Sequence, residues 1–235
     1  YSYVANHADA LAQGQHATDT FTYTLSDAQG ATTSAELAID VTGANDVPVT
    51  VGSIASLTQA DSTVVSIPTA AHFHDADSTD TLSYSASGLP AGLSIDAATG
   101  IISGPLAHDA SATAGGYAIT VTANDGHGGT VSQSFTLTAT NPAPVAVADT
   151  GAATEDAPLT SVSAANGVLA NDHDPDGDAL SVSAVRTGAQ SGTGTAGTVG
   201  TVLHGSYGDL TLNSDGSYSY VANHADALAQ GQHAT

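Results

Sequence analysis

Eighteen residues occur twice in this chain: YSYVANHADALAQGQHAT stands at residues 1–18 and returns letter for letter at residues 218–235. Chance does not produce such an identity. The simplest reading of the 235 residues is a window slightly longer than one 217-residue period of a near-identical tandem array, with artificial duplication of the ends as the alternative. A period of that size fits two sandwich domains of ordinary length. In register, residues 142–235 run on into residues 19–46, a composite of 122 residues, and leave the 95 residues 47–141 for a second domain. The expected layout is the C-terminal part of one sandwich at 1–46, a whole sandwich at 47–141, and the N-terminal part of the next at 142–235. Sheet edges left open by this phase are expected to pair with adjacent repeats of the same chain or with head-to-tail neighbouring chains.

Local patterns support an all-β chain. Residues 19–25 (DTFTYTL) and 35–41 (AELAIDV) alternate at period two and flank the turn signal of residues 26–30 (SDAQG). Residues 210–214 (LTLNS) lead through Ser214-Asp215-Gly216-Ser217 to Tyr218, Tyr220 and Val221, a second hairpin. The junctions at residues 43–48 (GANDVP) and 141–144 (NPAP) combine Asn with Pro and predict short, stiff connections, hence a linear rod of domains. Residues 7–13 (HADALAQ), repeated at 224–230, predict about two helical turns closed by Gly14 or Gly231.

Charge narrows the partners. Twenty-three acidic residues, 21 of them Asp, face one basic residue, Arg186, for a net charge of −22. Such a surface excludes nucleic acid and a polybasic membrane contact, and no apolar run is long enough to insert in a bilayer. Cations are the expected partners. The absence of Cys removes disulfides, thiolate metal sites and thiol nucleophiles. Residues 1–10 lack the basic-then-apolar layout of an export signal.

The composite carries PVAVADTGAATEDAPLT, VLANDHDPDGDALSV, GDLTLNSDGSYSYVAN, LAQGQHATDTFTYTLSDAQG and IDVTGANDVP. In these segments it resembles the VCBS and cadherin-like repeats of giant bacterial surface proteins. The middle segment, with FHDADSTDTLSYSASGLPAGLSIDAATGIISGPL and YAITVTANDGHGGTVSQSFTLTA, resembles the immunoglobulin-like and dystroglycan-type cadherin-like modules that alternate with them. The resemblance implies tandem immunoglobulin/cadherin-like Greek-key β-sandwiches, stiffened by calcium, in long extracellular adhesins of the RTX (repeats-in-toxin) type. This chain has none of the terminal nonapeptides of those proteins, so the resemblance places it in the extender region.

The densest acidic run is residues 171–178 (NDHDPDGD). Asp172, Asp174 and Asp176 followed by Gly177, with Asp178 after it, match the first half of an oxygen-ligand loop, but Ser183 stands where an EF-hand has its bidentate Glu. With Val168-Leu169 before it and residues 179–182 after it read as strands, a calcium loop at a sandwich edge is expected, against the alternative of a solvated acidic turn. Carboxylates about 4–6 Å apart repel by roughly 1 kcal/mol per pair in water, a penalty a cation removes. The cadherin-like resemblance adds Glu155 and Asp156 as a second cluster. In the middle domain Asp75, Asp77 and Asp80 precede the strand Leu82-Ser83-Tyr84, and Asp125 sits in the turn Asn124-Asp125-Gly126. By the same resemblance these share an ion with Asn45 and Asp46 of the junction, although a plain turn is an equal reading for Asp125. Asp27 and Asp215 are read as turn formers.

Other chemistry finds little support. The ten His include duplicates at 224 and 233, and His72 with His74, placed on one face of a strand by their spacing, lack a third ligand for zinc. No Gly-x-Ser-x-Gly elbow occurs, and the Gly-rich residues 187–200 have no phosphate-binding Lys, so no enzymatic activity is expected. Tyr207, Tyr218 and Tyr220 read as sandwich residues before they read as a sugar platform. The expectation is a calcium-stiffened structural extender of a bacterial cell-surface adhesin or filament that supports adhesion and biofilm formation. The alternative is a carbohydrate- or surface-binding module.

Overall fold

The computed structural model describes residues 1–155, 157 and 159–224, which form β-strands and turns with three short 3-10 turns among them. The chain divides into two compact units, one running to Asn141 and one starting at Pro142.

The first unit opens with a hairpin of β1 (His16–Ser26) and β2 (Thr32–Thr42), longer at each end than the alternating residues predict. The Asp27 carboxylate closes its turn by accepting the backbone N–H of Gln29 and Ala31 at 2.9 and 2.8 Å, and Gly30 takes φ +90°, a conformation that costs other residues a Cβ clash. Residues 7–13 are not helical. Only i to i+3 contacts form there, Leu11 N–H to the Ala8 carbonyl and Gln15 N–H to that of Ala12, both 2.9 Å, because two turns are too few to repay helix nucleation. The second copy of this segment lies, after His224, outside the described residues.

Nine strands follow: β3 (Val49–Thr50), β4 (Leu57–Ala60), β5 (Val64–Pro68), β6 (Phe73–His74), β7 (Ser83–Ser87), β8 (Ser94–Ile95), β9 (Ile101–Pro105), β10 (Tyr117–Asn124) and β11 (Thr130–Thr140). One sheet has the order β4-β11-β10-β7, with β4 parallel to β11. The other has the order β5-β9-β8, and β3 pairs with β6 beside them. Alternation decides which side chains face inward. Along β10, Ile119, Val121 and Ala123 are wholly buried, while Thr120 and Thr122 on the outer face meet Ser134 and Ser132 across the ladder at 2.8 and 2.7 Å. Val65, Ile67, Ile102 and Leu106 complete the core with Leu137, and Phe73 meets Tyr84 with ring centroids 5.9 Å apart. Each such side chain contributes about 1.5–3 kcal/mol through burial. His72 ends the 3-10 turn Ala70–His72 whereas His74 lies in β6, so the pair does not share a strand face.

In the second unit, β12 (Thr160–Val162), β15 (Val202–His204), β16 (Asp209–Leu212) and β17 (Tyr218–Val221) form an antiparallel sheet in the order β12-β17-β16-β15. A weak hairpin of β13 (Val185–Arg186) and β14 (Ala196–Gly197) spans the Gly-rich segment. The flanks of the acidic loop are not the strands expected. Val168 and Leu169 lie in a turn, and residues 179–182 have no ladder, with Val182 N–H bonded singly to the Ser214 carbonyl at 2.9 Å. Apolar residues are there, but a strand needs a neighbour to exchange hydrogen bonds with.

Candidate metal centre

In the first unit, three carboxylates converge where the chain leaves the hairpin and enters the sandwich. Asp75, Asp77 and Asp80 each place an oxygen within 4.8 Å of the other two. The Asp75 carboxylate accepts the N–H of Asp77 at 2.9 Å, and Asp80 N–H reaches the Asp77 carbonyl at 3.1 Å, so the loop is wound by its own ligand residues. Asp77, 2% exposed, accepts the backbone N–H of Asp46 at 2.9 Å, which ties the junction to the loop. Asn45 Nδ2 donates to Asp125 Oδ2 at 3.0 Å. The turn segment before β1 also touches this loop: Ser78 Oγ donates to the Ala10 carbonyl at 3.1 Å and Gln15 Nε2 to Thr79 Oγ1 at 3.3 Å.

Three oxygens within this group are buried with no hydrogen-bond partner: Asn45 Oδ1, Asp75 Oδ2 and Asp77 Oδ1. Buried acceptors are almost always satisfied, and leaving one unsatisfied costs about 1–3 kcal/mol. The chain's own cations do not meet this need. There is no Lys, and Arg186, in the second unit, spends its guanidinium on the carbonyls of Thr187, Ala189 and Gln190 at 2.8–3.1 Å. His127 Nδ1 lies 2.9 Å from Asp80 Oδ2 and is the one basic side chain paired with the group among the described residues. Burial, and then the charges of Asp77, Asp9 and Asp75, push the Asp46 carboxyl above its ordinary value. An all-oxygen donor set with orphaned buried acceptors and excess negative charge fits a hard cation such as calcium.

Asp125 is a different case. Burial alone would raise its pKa, but the hydrogen bond from Asn45 and the N–H groups of His127 and Gly129 hold the carboxyl below the ordinary value. Both of its oxygens are taken by those donors, so it acts as the turn former that clips Asn45 in place.

In the second unit, Asp174, Asp176 and Asp178 bring their oxygens within 4.8 Å of one another, all three half-buried. Gly177, at φ +91°, allows the reversal. The Asp174 carboxyl is held below its ordinary value, chiefly by its hydrogen bond with Asp176 and, against burial, by backbone N–H groups of the loop. Asp172 is engaged elsewhere: its Oδ1 accepts the Val147 N–H at 2.7 Å, beside the paired bridge of Val145 with His173. Glu155 lies in neither trio, and Asp156 lies outside the described residues. Asp215 is a turn former, accepting Ser217 N–H and Oγ at 3.0 and 2.6 Å. Sequence reasoning did not find Asp9 or His127, which come from segments far from the acidic runs and carry no motif.

Residues 47–140 match the family described as Putative Ig domain. Residues 141–234 match the bacterial cadherin-like domain. The two stand in tandem, as the resemblance read from the sequence implied, and the pair points to an extracellular adhesin-type repeat. No curated protein matches. Among solved structures, the chain is similar to a Bacteroides fragilis protein described as a putative alpha-galactosidase/melibiase, at 22% identity, TM-score 0.29, covering 40% of this chain and 19% of that one. It is also similar to protocadherin gammaB7 EC3–6 in a cis-dimer structure, at 16% identity and TM-score 0.42 over 93% and 53% of the two chains. Drosophila N-cadherin EC1–3 matches at 16% identity and TM-score 0.31 over 46% and 41%. The chain thus spans about a fifth of the first of these and about half or less of the others. No helix among the described residues is long and apolar enough to cross a membrane.

Proposed function

We propose that this chain is a calcium-stiffened extender repeat of a bacterial cell-surface adhesin or filament, without enzymatic activity, which supports adhesion and biofilm formation by holding a binding tip away from the cell. The observation that carries the reading is the set of buried, unpartnered oxygens on Asn45, Asp75 and Asp77 beside Asp46. They lie at a junction, where an ion bound to both sides fixes the angle between the segments it joins. Calcium at these positions would supply the positive charge that the chain lacks. Asp77 and Asp75 would hold it with Asn45 and Asp80, and Asp46 orients Asp77 through its backbone N–H. The trio Asp174, Asp176 and Asp178 would hold an ion in the second unit.

Binding only the folded state stabilises it by RT ln(1 + [L]/Kd), about 2.7 kcal/mol at a hundredfold excess over Kd. The test is calorimetric titration of calcium, with melting and small-angle scattering in millimolar calcium and then in chelator. The reading expects bound calcium, a higher Tm and a longer, stiffer particle. No heat of binding, with the same Tm and the same scattering profile, would overturn it.

A further inference from the structure

The hairpin of β1 and β2 is joined to the sandwich that follows it by one covalent passage, residues 43–48 after β2. A single passage is a pivot, and relative motion is the default for segments joined that way. A second attachment leaves from the other strand of the hairpin, and both attachments end on the same loop.

The second attachment is the turn segment of residues 8–15, which runs directly into β1. Its own hydrogen bonds wind it: beside the Leu11–Ala8 and Gln15–Ala12 backbone pairs, Ala12 N–H donates to Gln15 Oε1 at 3.2 Å. It is seated against the base of the hairpin. Gly43 N–H donates to the Gln15 carbonyl at 2.8 Å, Gly14 N–H donates to the Gly43 carbonyl at 3.2 Å, and Ala12 is buried. Gly43 has to be Gly for this fit, since any side chain there would run into the carbonyls of Leu11 and Ala12. Gln15 is the hub, with its carbonyl on the hairpin base, its Oε1 on the turn and its Nε2 on Thr79 of the acidic loop.

The loop of residues 75–80 receives both attachments at consecutive residues. Asp77 accepts the Asp46 N–H of the covalent junction at 2.9 Å. Ser78 then donates to the Ala10 carbonyl at 3.1 Å and Thr79 accepts from Gln15 at 3.3 Å. Ser78 and Thr79 stand between Asp77 and Asp80, two of the three carboxylates that converge there. Whatever fixes the path of the chain from Asp75 to Asp80 therefore sets both attachment points at once, and two attachments hold an angle that one cannot.

We infer that residues 8–15 are a latch, with Gln15 as its positioning residue, through which an ion at Asp75, Asp77 and Asp80 holds the hairpin at a fixed angle to the sandwich. The inference rests on the calcium reading of that site and says which contacts turn binding into stiffness. Coupling of this kind is reciprocal: the factor by which calcium favours the seated latch is the factor by which the seated latch favours calcium, about fivefold at the low end of such couplings.

The chain has no Cys, so spin labels attach only where Gln29→Cys at the hairpin turn and Ala98→Cys on the sandwich place them. In the full chain carrying both, calcium is expected to narrow the distribution of label-to-label distances and to slow amide exchange of residues 10–15 about fivefold. Gln15→Ala with Ser78→Ala cuts the latch and leaves every carboxylate in place. This variant is expected to bind calcium with a Kd raised about fivefold, to keep a distribution as broad in saturating calcium as in chelator, and to melt in chelator like the parent. Thr79→Val should add nothing to Gln15→Ala, because each removes the same contact. A variant that binds calcium with the parent's Kd and narrows as the parent does would overturn the latch and leave the metal site standing. No calcium binding by the parent chain would overturn both.

Discussion

The sandwich of residues 47–141 and the sheet of the second unit are written in the same alternating code, yet their side chains end in different states. In β10, Ile119, Val121 and Ala123 are fully buried and the residues between them are not. In β16 and β17 every residue is half-buried, with no contrast between the faces. The difference is the second layer. Ile102 and Ile67 from the facing sheet cover the first set, and nothing among the described residues covers Leu212, Tyr218 and Tyr220 to that depth. Alternation assigns a side chain to a face; only another layer takes that face out of water.

The comparison breaks most readily in the two cores. Leu137→Ala or Ile119→Ala should cost about 2–5 kcal/mol in a urea titration of the sandwich, because each empties a fully buried site. Leu212→Ala, on the half-covered sheet, should cost well under half of that. Equal losses would mean that the second unit is already closed by a layer of its own.

The metal loops give the next contrast. Asp77→Asn should abolish most of the calcium-dependent gain of the first unit, about 2.7 kcal/mol at a hundredfold excess over Kd, and leave the metal-free protein as stable as before or more so. Asp174→Asn should do the same in the second unit alone. Calcium titration followed by melting separates the two, and loss of both gains from one variant would show a single shared site.

Acid sharpens the contrast within the first unit. At the far end of β4, burial would raise the Asp61 pKa, but the hydrogen bonds from Ser111 and the nearby His108 outweigh it and hold the carboxyl below its ordinary 3.8. Its folded value is depressed, so its contribution is present above pH 3.8 and is lost as pH falls through the folded value. Asp46 is raised, so its ionised form opposes folding above its folded value and the opposition fades as pH falls toward 3.8. Asp61→Asn should therefore flatten the acid limb of the Tm profile. Asp46→Asn should raise Tm at neutral pH in chelator, and a drop there would contradict the charge crowding at the junction.

The smallest effect belongs to the outer faces. Removing the Thr122–Ser132 contact with Thr122→Ala should cost about 0.2–1 kcal/mol, and Thr24→Ala, which removes the matching Thr24–Ser34 contact at 2.9 Å in the hairpin, about the same or less. Urea midpoints of the two variants measure it.

The strands with the clearest alternation were legible in advance. Residues 19–25 and 35–41 lie inside β1 and β2, and the Asp27 and Asp215 turns form because a short carboxylate accepts backbone N–H groups two to four residues on. Residues 7–13 and 179–182 misled for one reason: local composition there suits a helix or a strand, but the hydrogen bonds that make either come from more turns or from a neighbour. At the candidate centre, Asp75, Asp77 and Asp80 announce themselves by spacing, and so do Asp174, Asp176 and Asp178. Asp172 belongs to the same run by spacing and is drawn off by Val147, a contact across 25 residues that no local pattern encodes.

By itself, then, the sequence determined the β class, the turns, the acidic loops and the 217-residue period, because each is written in neighbouring residues or in literal repetition. Tertiary structure alone decided which oxygens are left without a partner, that Asp125 is a clip for Asn45, and which apolar faces stay in water. Those depend on what chain segments remote in sequence bring to within 3–4 Å, and burial is a property of that meeting and not of any residue alone.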